Sequence, residues 1–425
     1  MKSKKRLALV VLMLILVCLV YIITVVLNKK NLTENFEEIS KVEIWSIQGG
    51  LIEALEKVTR EYSNIYPNVE FIIKGYENQE YKRVIKDTLV TNEGPDIFFS
   101  WGYDFLNEFV QANRILDISQ EIKSRGYEKK LNVNALDAFT INNKIYGIPT
   151  QLFNTVIYLN KNVFEKYNVK YPETYDELLV AIEIFNKNGV IPISIGGAEP
   201  WMLSQVYMSL VIREIGIDVV KSDFEINKYF ENEGFKTAGE KMLELININA
   251  FGEDFLTDTI NQSVYRFITQ ESAMTLSGSY VSNTIESMIP DKIDNIDVRV
   301  FPLTSEKSNL NEGIAGYTDT FLINKFTENE LLVLDIYMRL VKDLSEEQVK
   351  NGTGLPVWIE DNYMLEESKI LYKCAEAFPK KGYHEPYDII FPKELADIHL
   401  DSIVGLTRGD IDLDGFIEVH KGKLE

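Results

Sequence analysis

Residues 94–101 read Gly-Pro-Asp-Ile-Phe-Phe-Ser-Trp, with an apolar centre between a proline and a final Ser-Trp pair. A short run that is apolar throughout its centre is typical of a strand buried on both faces of a parallel sheet. Residues 42–47 and 69–74 predict two earlier strands, and apolar residues recur at helical spacing after each of them. Strands that alternate with helices in this way indicate an α/β protein.

The same alternation continues through the rest of the chain. An Asn-Asn pair at 142–143, between two short strand-like segments, predicts a tight hairpin. Residues 174–177 (Thr-Tyr-Asp-Glu) and 327–330 (Thr-Glu-Asn-Glu) fit the capping-box pattern and predict two helix starts. Further strands are predicted at 155–159, 191–195, 273–276, 298–302 and 318–323, and helices at 201–215, 233–248 and 259–269.

Composition and charge argue against several classes of function. The 425 residues include 65 acidic and 44 basic side chains, for a formal net charge of −21. A chain this acidic has little to offer a phosphate backbone, so no nucleic-acid partner is expected. Two cysteines and three histidines argue against a disulfide scaffold, a cysteine or histidine zinc site and most Ser-His hydrolases. We expect no cofactor.

The N-terminal segment, residues 1–30, predicts a membrane anchor. Residues 7–27 contain no charged side chain, and about 20 apolar residues span a bilayer as a helix. More basic residues precede this run than follow it, which places the body on the extracytoplasmic side of the cell membrane. Residues 31–40 then form a polar tether. Cleavage of a signal peptide and lipidation of Cys18 are the alternatives that remain open.

Aromatic and polar residues collect where the predicted strands end, which is where open α/β sheets bind their ligands. Three of the four tryptophans fall at these positions, each near glycine, serine or an acidic residue. Flat aromatic faces beside hydroxyl-bonding groups suit a sugar, whose ring has an apolar C–H face and a polar rim. The candidate ligand-binding residues are Trp45, Ser46, Gln48, Trp101, Asp104, Glu199, Trp201, Ser279, Tyr280, Tyr317 and Asp319.

Each candidate also has a purely structural interpretation. A tryptophan ring can simply fill the interior between two domains. The acids Asp104, Glu199 and Asp319 can cap a helix or face solvent. The sequence alone leaves both interpretations open.

The C-terminal stretch 410–417 (Asp-Ile-Asp-Leu-Asp-Gly-Phe-Ile) is similar to the start of an EF-hand calcium loop. Its candidate ligands are Asp410, Asp412 and Asp414. The twelfth position is Lys421, where such a loop needs a bidentate glutamate. The alternative is an acidic first turn of a terminal helix. No metal site is therefore predicted.

A series of short motifs stands in a fixed order along the chain, namely 42–46 (Val-Glu-Ile-Trp-Ser), 94–98 (Gly-Pro-Asp-Ile-Phe), 144–149 (Lys-Ile-Tyr-Gly-Ile-Pro), 158–161 (Tyr-Leu-Asn-Lys), 172–178 (Pro-Glu-Thr-Tyr-Asp-Glu-Leu), 192–197 (Pro-Ile-Ser-Ile-Gly-Gly) with Trp201, and 273–280 (Ala-Met-Thr-Leu-Ser-Gly-Ser-Tyr). In these motifs and their order the chain resembles the family 1 extracellular solute-binding proteins of bacterial ABC sugar importers, the maltose-binding-protein-like group. Tyr175 and Tyr280 stand where the family pattern has tryptophan.

The resemblance implies the two-lobed α/β fold of type II periplasmic binding proteins, each lobe a mainly parallel sheet flanked by helices. It implies an N-lobe of residues 41–152 plus 315–355 and a C-lobe of residues 153–314 plus 356–425. Hinges would lie near 152–155 and 313–316. The implied function is that of a monomer that binds an oligosaccharide between its lobes and delivers it to the permease subunits of an ABC transporter.

Two other functions remain open at this point. A membrane-anchored sugar-sensing module for a signalling receptor would use the same cleft. A glycosidase would use paired carboxylates, but the sequence holds no catalytic motif at fixed spacing. A binding protein, and not an enzyme, is therefore expected.

Overall fold

The computed structural model describes residues 39–421, with the exception of 92–93, 226–227, 229 and 308. The described chain divides into two compact units, one of residues 39–97 and 326–340, the other of residues 98–325 and 341–421. The predicted anchor at 1–30 lies outside the described residues. Among the residues that are described, no helix combines the length and the apolar character needed to cross a membrane.

Strands and helices alternate along the chain, as the sequence predicts. The strands are β1 Ser40–Ile47, β2 Val69–Tyr76, β3 Ile97–Trp101, β4 Thr140–Ile141, β5 Lys144–Ile145, β6 Ile148–Pro149, β7 Phe153–Asn160, β8 Ile191–Ser194, β9 Ser272–Gly278, β10 Ile296–Arg299, β11 Glu312–Gly316, β12 Asp319–Ile323 and β13 Gly382–His384. The helices are α1 Gly50–Tyr62, α2 Asn78–Val90, α3 Tyr103–Gln111, α4 Ser119–Arg125, α5 Lys161–Lys166, α6 Tyr175–Lys187, α7 Pro200–Ile215, α8 Ile217–Glu225, α9 Glu233–Asn247, α10 Ile260–Ile268, α11 Ser282–Met288, α12 Glu330–Lys350, α13 Lys369–Glu376, α14 Tyr387–Ile390, α15 Lys393–Arg408 and α16 Leu413–Glu418.

The first unit is built on the parallel pairing of β1 with β2. The register sets Ser40 opposite Val69 and continues to the ends of both strands. Helix α1 buries the apolar side that the spacing of its residues predicts. The Glu43 N–H donates to the Asp96 carboxylate over 2.8 Å, which ties the chain before β3 to β1.

Two sheets organise the second unit. In one of them β3, β12 and β6 lie side by side, and β12 pairs antiparallel with β6. The other has the strand order β13-β11-β7-β9-β8, and β10 also pairs with β7. The strand β9 is buried along its whole length, as its continuous apolar and small residues require.

The prediction of mainly parallel sheets is wrong for the sheet around β7. This strand runs antiparallel to β9, β10 and β11, whereas β8–β9 and β11–β13 are parallel pairs. The physical reason is that the direction of each pairing depends on the path by which the chain returns to the sheet, and side-chain periodicity does not determine that path. The fold is therefore α/β with mixed sheets.

The two predicted capping boxes have different outcomes. Thr174 accepts the N–H of Glu177 and the Glu177 carboxylate accepts the N–H of Thr174, so the predicted start of α6 is confirmed. The second box is wrong, because α12 begins only at Glu330. Its proposed cap, Thr327, instead donates its hydroxyl hydrogen to the Asp96 carboxylate.

The acidic C-terminal stretch has structural partners. Asp412 caps α16 by accepting the N–H of Gly415 over 2.8 Å, and the Asp414 carboxylate lies 2.7 Å from the Lys236 ammonium group. Within the part of the chain that the structure describes, no group of three or more His, Cys, Asp or Glu side chains is arranged to hold a metal ion.

A buried chain of hydrogen bonds joins α7, α15 and the C-terminal turn. His420 Nδ1 lies 2.7 Å from the Phe416 carbonyl, His399 Nδ1 lies 2.9 Å from His420 Nε2, and Ser204 Oγ lies 2.7 Å from His399 Nε2. Because the carbonyl only accepts, both Nδ1 atoms carry hydrogen and the Ser204 hydroxyl donates to His399. All three side chains are fully enclosed, so this Ser-His pair is structural and out of reach of a substrate.

These histidines are expected to make the protein less stable in acid. Burial lowers the pKa of His420 to about 4 and the pKa of His399 well below its usual range. Between about pH 6.5 and pH 4 the unfolded chain therefore binds more protons than the folded chain. The free energy of unfolding has its full value above about pH 6.5 and falls as the pH drops towards 4. We expect each histidine to cost about 1 kcal/mol of unfolding free energy between pH 7 and pH 5.5. Denaturant unfolding at several pH values checks this, and His420→Gln should flatten the profile; an unchanged slope would contradict it.

Candidate functional site

The centre of the candidate site is an aromatic pair in the second unit. Trp201 is the second residue of α7, and Tyr280 follows β9. Their rings meet edge to face, with 6.2 Å between the centroids, and both side chains are only partly buried. The Tyr280 hydroxyl points to the Met202 sulfur at 3.7 Å. This geometry leaves aromatic surface available to a ligand, as the sequence predicts for both residues.

Two carboxylates influence the Tyr280 hydroxyl of this aromatic pair. Burial is the main reason that the pKa of the Tyr280 hydroxyl is raised, and the negative charges of Glu199 and Asp319 raise it further. One Glu199 oxygen accepts the N–H of Ile260 over 3.2 Å, which fixes this side chain at the start of α10. The structure thus brings four sequence-predicted residues together: Glu199, Trp201, Tyr280 and Asp319.

The Asp319 carboxylate is held by neutral donors. Its Oδ2 accepts from Gln151 Nε2 over 2.7 Å, and its Oδ1 accepts from the Thr318 hydroxyl over 2.9 Å. Burial raises the pKa of Asp319, whereas the Gln151 and Thr318 donors lower it. Gln151 in turn accepts a hydrogen bond from Gln348 Nε2 over 3.0 Å. Sequence reasoning missed both glutamines, since an isolated glutamine carries no pattern.

A second cluster joins Tyr103 and Glu385. Burial is the main cause of the raised pKa of Tyr103, and its hydrogen bond with the Glu385 carboxylate adds to it. The backbone of Tyr103 has a φ of 56°, which is an unusual conformation for an aromatic residue. Strain of this kind persists where the surrounding structure holds it, often at ligand sites. Neither residue was among the candidates drawn from the sequence.

The β11–β12 connection links the two clusters. A Cβ atom at Gly316 would come within 2.8 Å of the Glu385 side chain and within 3.4 Å of Thr318, whose hydroxyl holds Asp319. Tyr317 lies between them, is almost fully buried, and has a pKa raised to about 12 mainly by burial. A glycine at 316 is needed here, because any side chain would displace Glu385.

The remaining candidates of the second unit have contacts within the protein. The Trp101 ring packs edge to face on Phe99 and Phe105 and is 8% exposed. The Asp104 carboxylate accepts the N–H of Lys393 over 2.8 Å at the start of α15. Ser279 is fully buried and its hydroxyl accepts the N–H of Asn154. These contacts favour the structural interpretation of the three residues.

The candidates in the first unit lie at the end of β1. Trp45 is 7% exposed; its Nε1 donates to the Glu43 carboxylate over 2.5 Å, and its ring packs on Tyr76. Ser46 is fully buried, whereas the Gln48 amide reaches the Gly75 carbonyl at 3.5 Å. Trp45 lies within the strand and not in a loop, so its neighbours in β1 and β2 account for most of its contacts.

The segments predicted as hinges pair with each other. Asn154 and Phe153 of β7 pair with Ala315 and Gly316 of β11. A third segment joins them, since the backbone groups of Leu152 and Leu355 exchange hydrogen bonds of 3.0 and 2.9 Å. Rotation of the backbone at these segments would move the residues that precede them relative to the residues that follow them, as a hinge does.

The chain belongs to the bacterial extracellular solute-binding protein family, whose family model matches residues 48–334. An uncharacterized ABC transporter extracellular-binding protein of Pyrococcus horikoshii is 23% identical over 58% of this chain and 57% of its own length. The multiple sugar-binding protein of Streptococcus mutans is 22% identical over 62% of this chain and 63% of its own length. The chain thus spans about 60% of the length of these two relatives.

Solved structures share the fold over nearly the whole chain. A structure described as giving insights into xylan utilization by the thermophilic bacterium Caldanaerobius polysaccharolyticus has a TM-score of 0.85 and 26% identity. The match covers 91% of this chain and 100% of that chain. The protein therefore has the two-lobed α/β fold of periplasmic binding proteins, with mixed sheets.

Proposed function

We propose that the protein binds an oligosaccharide outside the cytoplasm and delivers it to the permease of an ABC transporter. The observation that carries this proposal is the cluster of Trp201, Tyr280, Glu199 and Asp319, which sets partly exposed aromatic rings beside carboxylate acceptors. A sugar ring stacks its C–H face on such rings and donates hydroxyl hydrogens to such acceptors. The names of the relatives support the same ligand class.

The ligand is enclosed, in this proposal, by movement of the two predicted lobes, 41–152 plus 315–355 and 153–314 plus 356–425. The paired segments 152–155 and 313–316 serve as hinges. A ligand favours the closed form only through the contacts that it gains there. The closed, loaded form is the one that the permease subunits would recognise, and a single chain suffices for this cycle.

A screen of the full-length protein against a panel of oligosaccharides tests the binding function. A ligand present at 100 times its dissociation constant stabilises a protein by about 2.7 kcal/mol, which a thermal-shift measurement detects. A turnover assay on the same panel separates binding from hydrolysis: the proposal expects stabilisation without cleavage. Cleavage of the stabilising sugar would favour a glycosidase instead.

The predicted anchor at 1–30 gives a separate expectation. The full-length chain should partition with membranes, and the chain without residues 1–30 should be soluble, because the uncharged run at 7–27 is long enough to span the bilayer. Fractionation of cells that express each form, followed by mass determination of the N-terminus, measures this. Recovery of the mature protein in the soluble fraction with residues 1–27 removed would contradict the anchor.

A further inference from the structure

The hydrogen bonds to Asp319 fix the orientation of the Gln151 amide and, through it, the donor that Gln348 presents. An ionised carboxylate only accepts, so Gln151 must turn its Nε2 towards Asp319 and its Oε1 towards Gln348. Gln348 must then donate through its own Nε2. Both glutamines are buried, so water does not compete readily for these bonds. The pair therefore positions Asp319 as a carboxylate that needs hydrogen-bond donors.

The backbone around the pair is shaped to hold it. A Cβ atom at Gly354 would lie 2.7 Å from the Gln151 Cβ and 2.8 Å from its Oε1, so only glycine leaves room for this side chain. The N–H of Thr150 donates to the Asp319 carbonyl over 3.0 Å, which fixes the start of β12. Asp319 is thus fixed both through its backbone and through its side chain.

The carboxylate of Asp319 retains capacity for a ligand. A carboxylate has about four lone-pair positions, of which Gln151 and Thr318 fill two. Asp319 is only partly buried, in contrast to the residues that hold it. Its titratable neighbour is the Tyr280 hydroxyl, on which the Glu199 carboxylate also acts. The pKa of Asp319 itself is raised by burial and lowered by the hydrogen bonds from Gln151 and Thr318. None of these neighbours is a cation that would attract an anionic ligand.

We propose that Asp319, positioned by Gln151 and Gln348, is the residue that determines specificity: it selects saccharides that present hydroxyl or amino donors and rejects saccharides that carry a carboxylate. The inference rests on the saccharide-binding function proposed above. A sugar carboxylate at this place would bring a second negative charge next to Asp319 and would supply no hydrogen-bond donor to it, and such a repulsion rejects a ligand.

Calorimetric titration of the full-length protein tests the inference. The probes are four neutral oligosaccharides (xylotetraose, maltotetraose, chitotriose and stachyose) and two acidic ones (trigalacturonate and glucuronate-branched xylotetraose). We expect at least one neutral probe to bind and both acidic probes to bind at least about 100-fold more weakly than it does. In Asp319→Asn this gap should shrink to about tenfold or less, because the repelling charge is gone. If no saccharide binds, the proposed function itself is wrong. If an acidic probe binds as tightly as the best neutral one, the function stands and the inference is overturned.

The pH dependence of saccharide binding tests the positioning role of Gln151. Gln151→Met keeps the volume of the side chain but removes the donor that stabilises the ionised carboxylate. We expect the loss of binding on acidification to begin at a higher pH in this variant than in the wild type. Gln205→Met is the matched control, because Gln205 is also a buried amide but accepts a hydrogen bond from Thr155 instead. A uniform loss of affinity at every pH in Gln151→Met would assign Gln151 a merely structural role.

Discussion

Replacing Trp201 by alanine is expected to weaken saccharide binding by about 2–4 kcal/mol, the range for a central aromatic contact in a binding site. Trp201 is partly exposed, as is its partner Tyr280, and it is the second residue of α7. Removal of the indole takes away the stacking surface and leaves the carboxylates in place. Titration calorimetry with the saccharide found in the panel measures the change.

The matched control for this substitution is Tyr265→Ala. Tyr265 lies on α10 in the same unit and is 53% exposed, so its loss removes a comparable aromatic surface away from the site. The control should bind like the wild type. Wild-type affinity in a Trp201→Ala protein with an unchanged circular dichroism spectrum would assign Trp201 to packing.

The largest expected effect on stability is that of Arg213→Met, at about 3–5 kcal/mol of unfolding free energy. The guanidinium group is 2% exposed and donates to the carbonyls of Phe301, Asn309 and Glu312 over 2.8 to 3.0 Å. Burial lowers its pKa to about 10, and the nearby Glu312 carboxylate opposes that shift. Methionine fills much of the volume but removes the guanidinium hydrogen bonds to all three carbonyls, of which those of Phe301 and Glu312 are buried.

Denaturant unfolding checks this prediction against Arg408→Met. Arg408 is an exposed arginine in the last turn of α15, so its loss should change stability by less than about 0.5 kcal/mol. Equal stability of the two variants would mean that the α7 arginine is not a structural tie between the helix and the loops at 301 and 309.

The fold was predictable where local patterns repeat. The apolar run at 97–99 and the alternation around it predict the strands and helices of an α/β protein, and the Asn142-Asn143 hairpin is present with positive φ at both residues. The antiparallel pairings of β7 were not predictable, because the direction of a strand depends on the path of the chain between strands and not on side-chain periodicity. The capping box at Thr327 failed because a distant residue, Asp96, takes its hydroxyl.

The candidate site was predictable only in part. The aromatic residue Trp201 and the acids Glu199 and Asp319 stand beside turn residues in the sequence, which is why they could be selected. Gln151 lies about 170 residues before Asp319 in the chain, and Glu385 lies 66 residues after it. Only folding brings Gln151 to Asp319 and Glu385 to Gly316. The role of such residues comes from tertiary hydrogen bonds, for which a single sequence has no signal.

A crystal structure of the protein with the best neutral oligosaccharide of the panel is the most direct test of saccharide binding at Trp201 and Asp319. We expect a sugar ring against the Trp201 indole and a sugar hydroxyl within hydrogen-bond distance of the Asp319 carboxylate. We also expect Gln151 to retain its bond to Asp319 in that complex. A saccharide bound elsewhere on the chain, without contact to Trp201 and Tyr280, would contradict the proposed site.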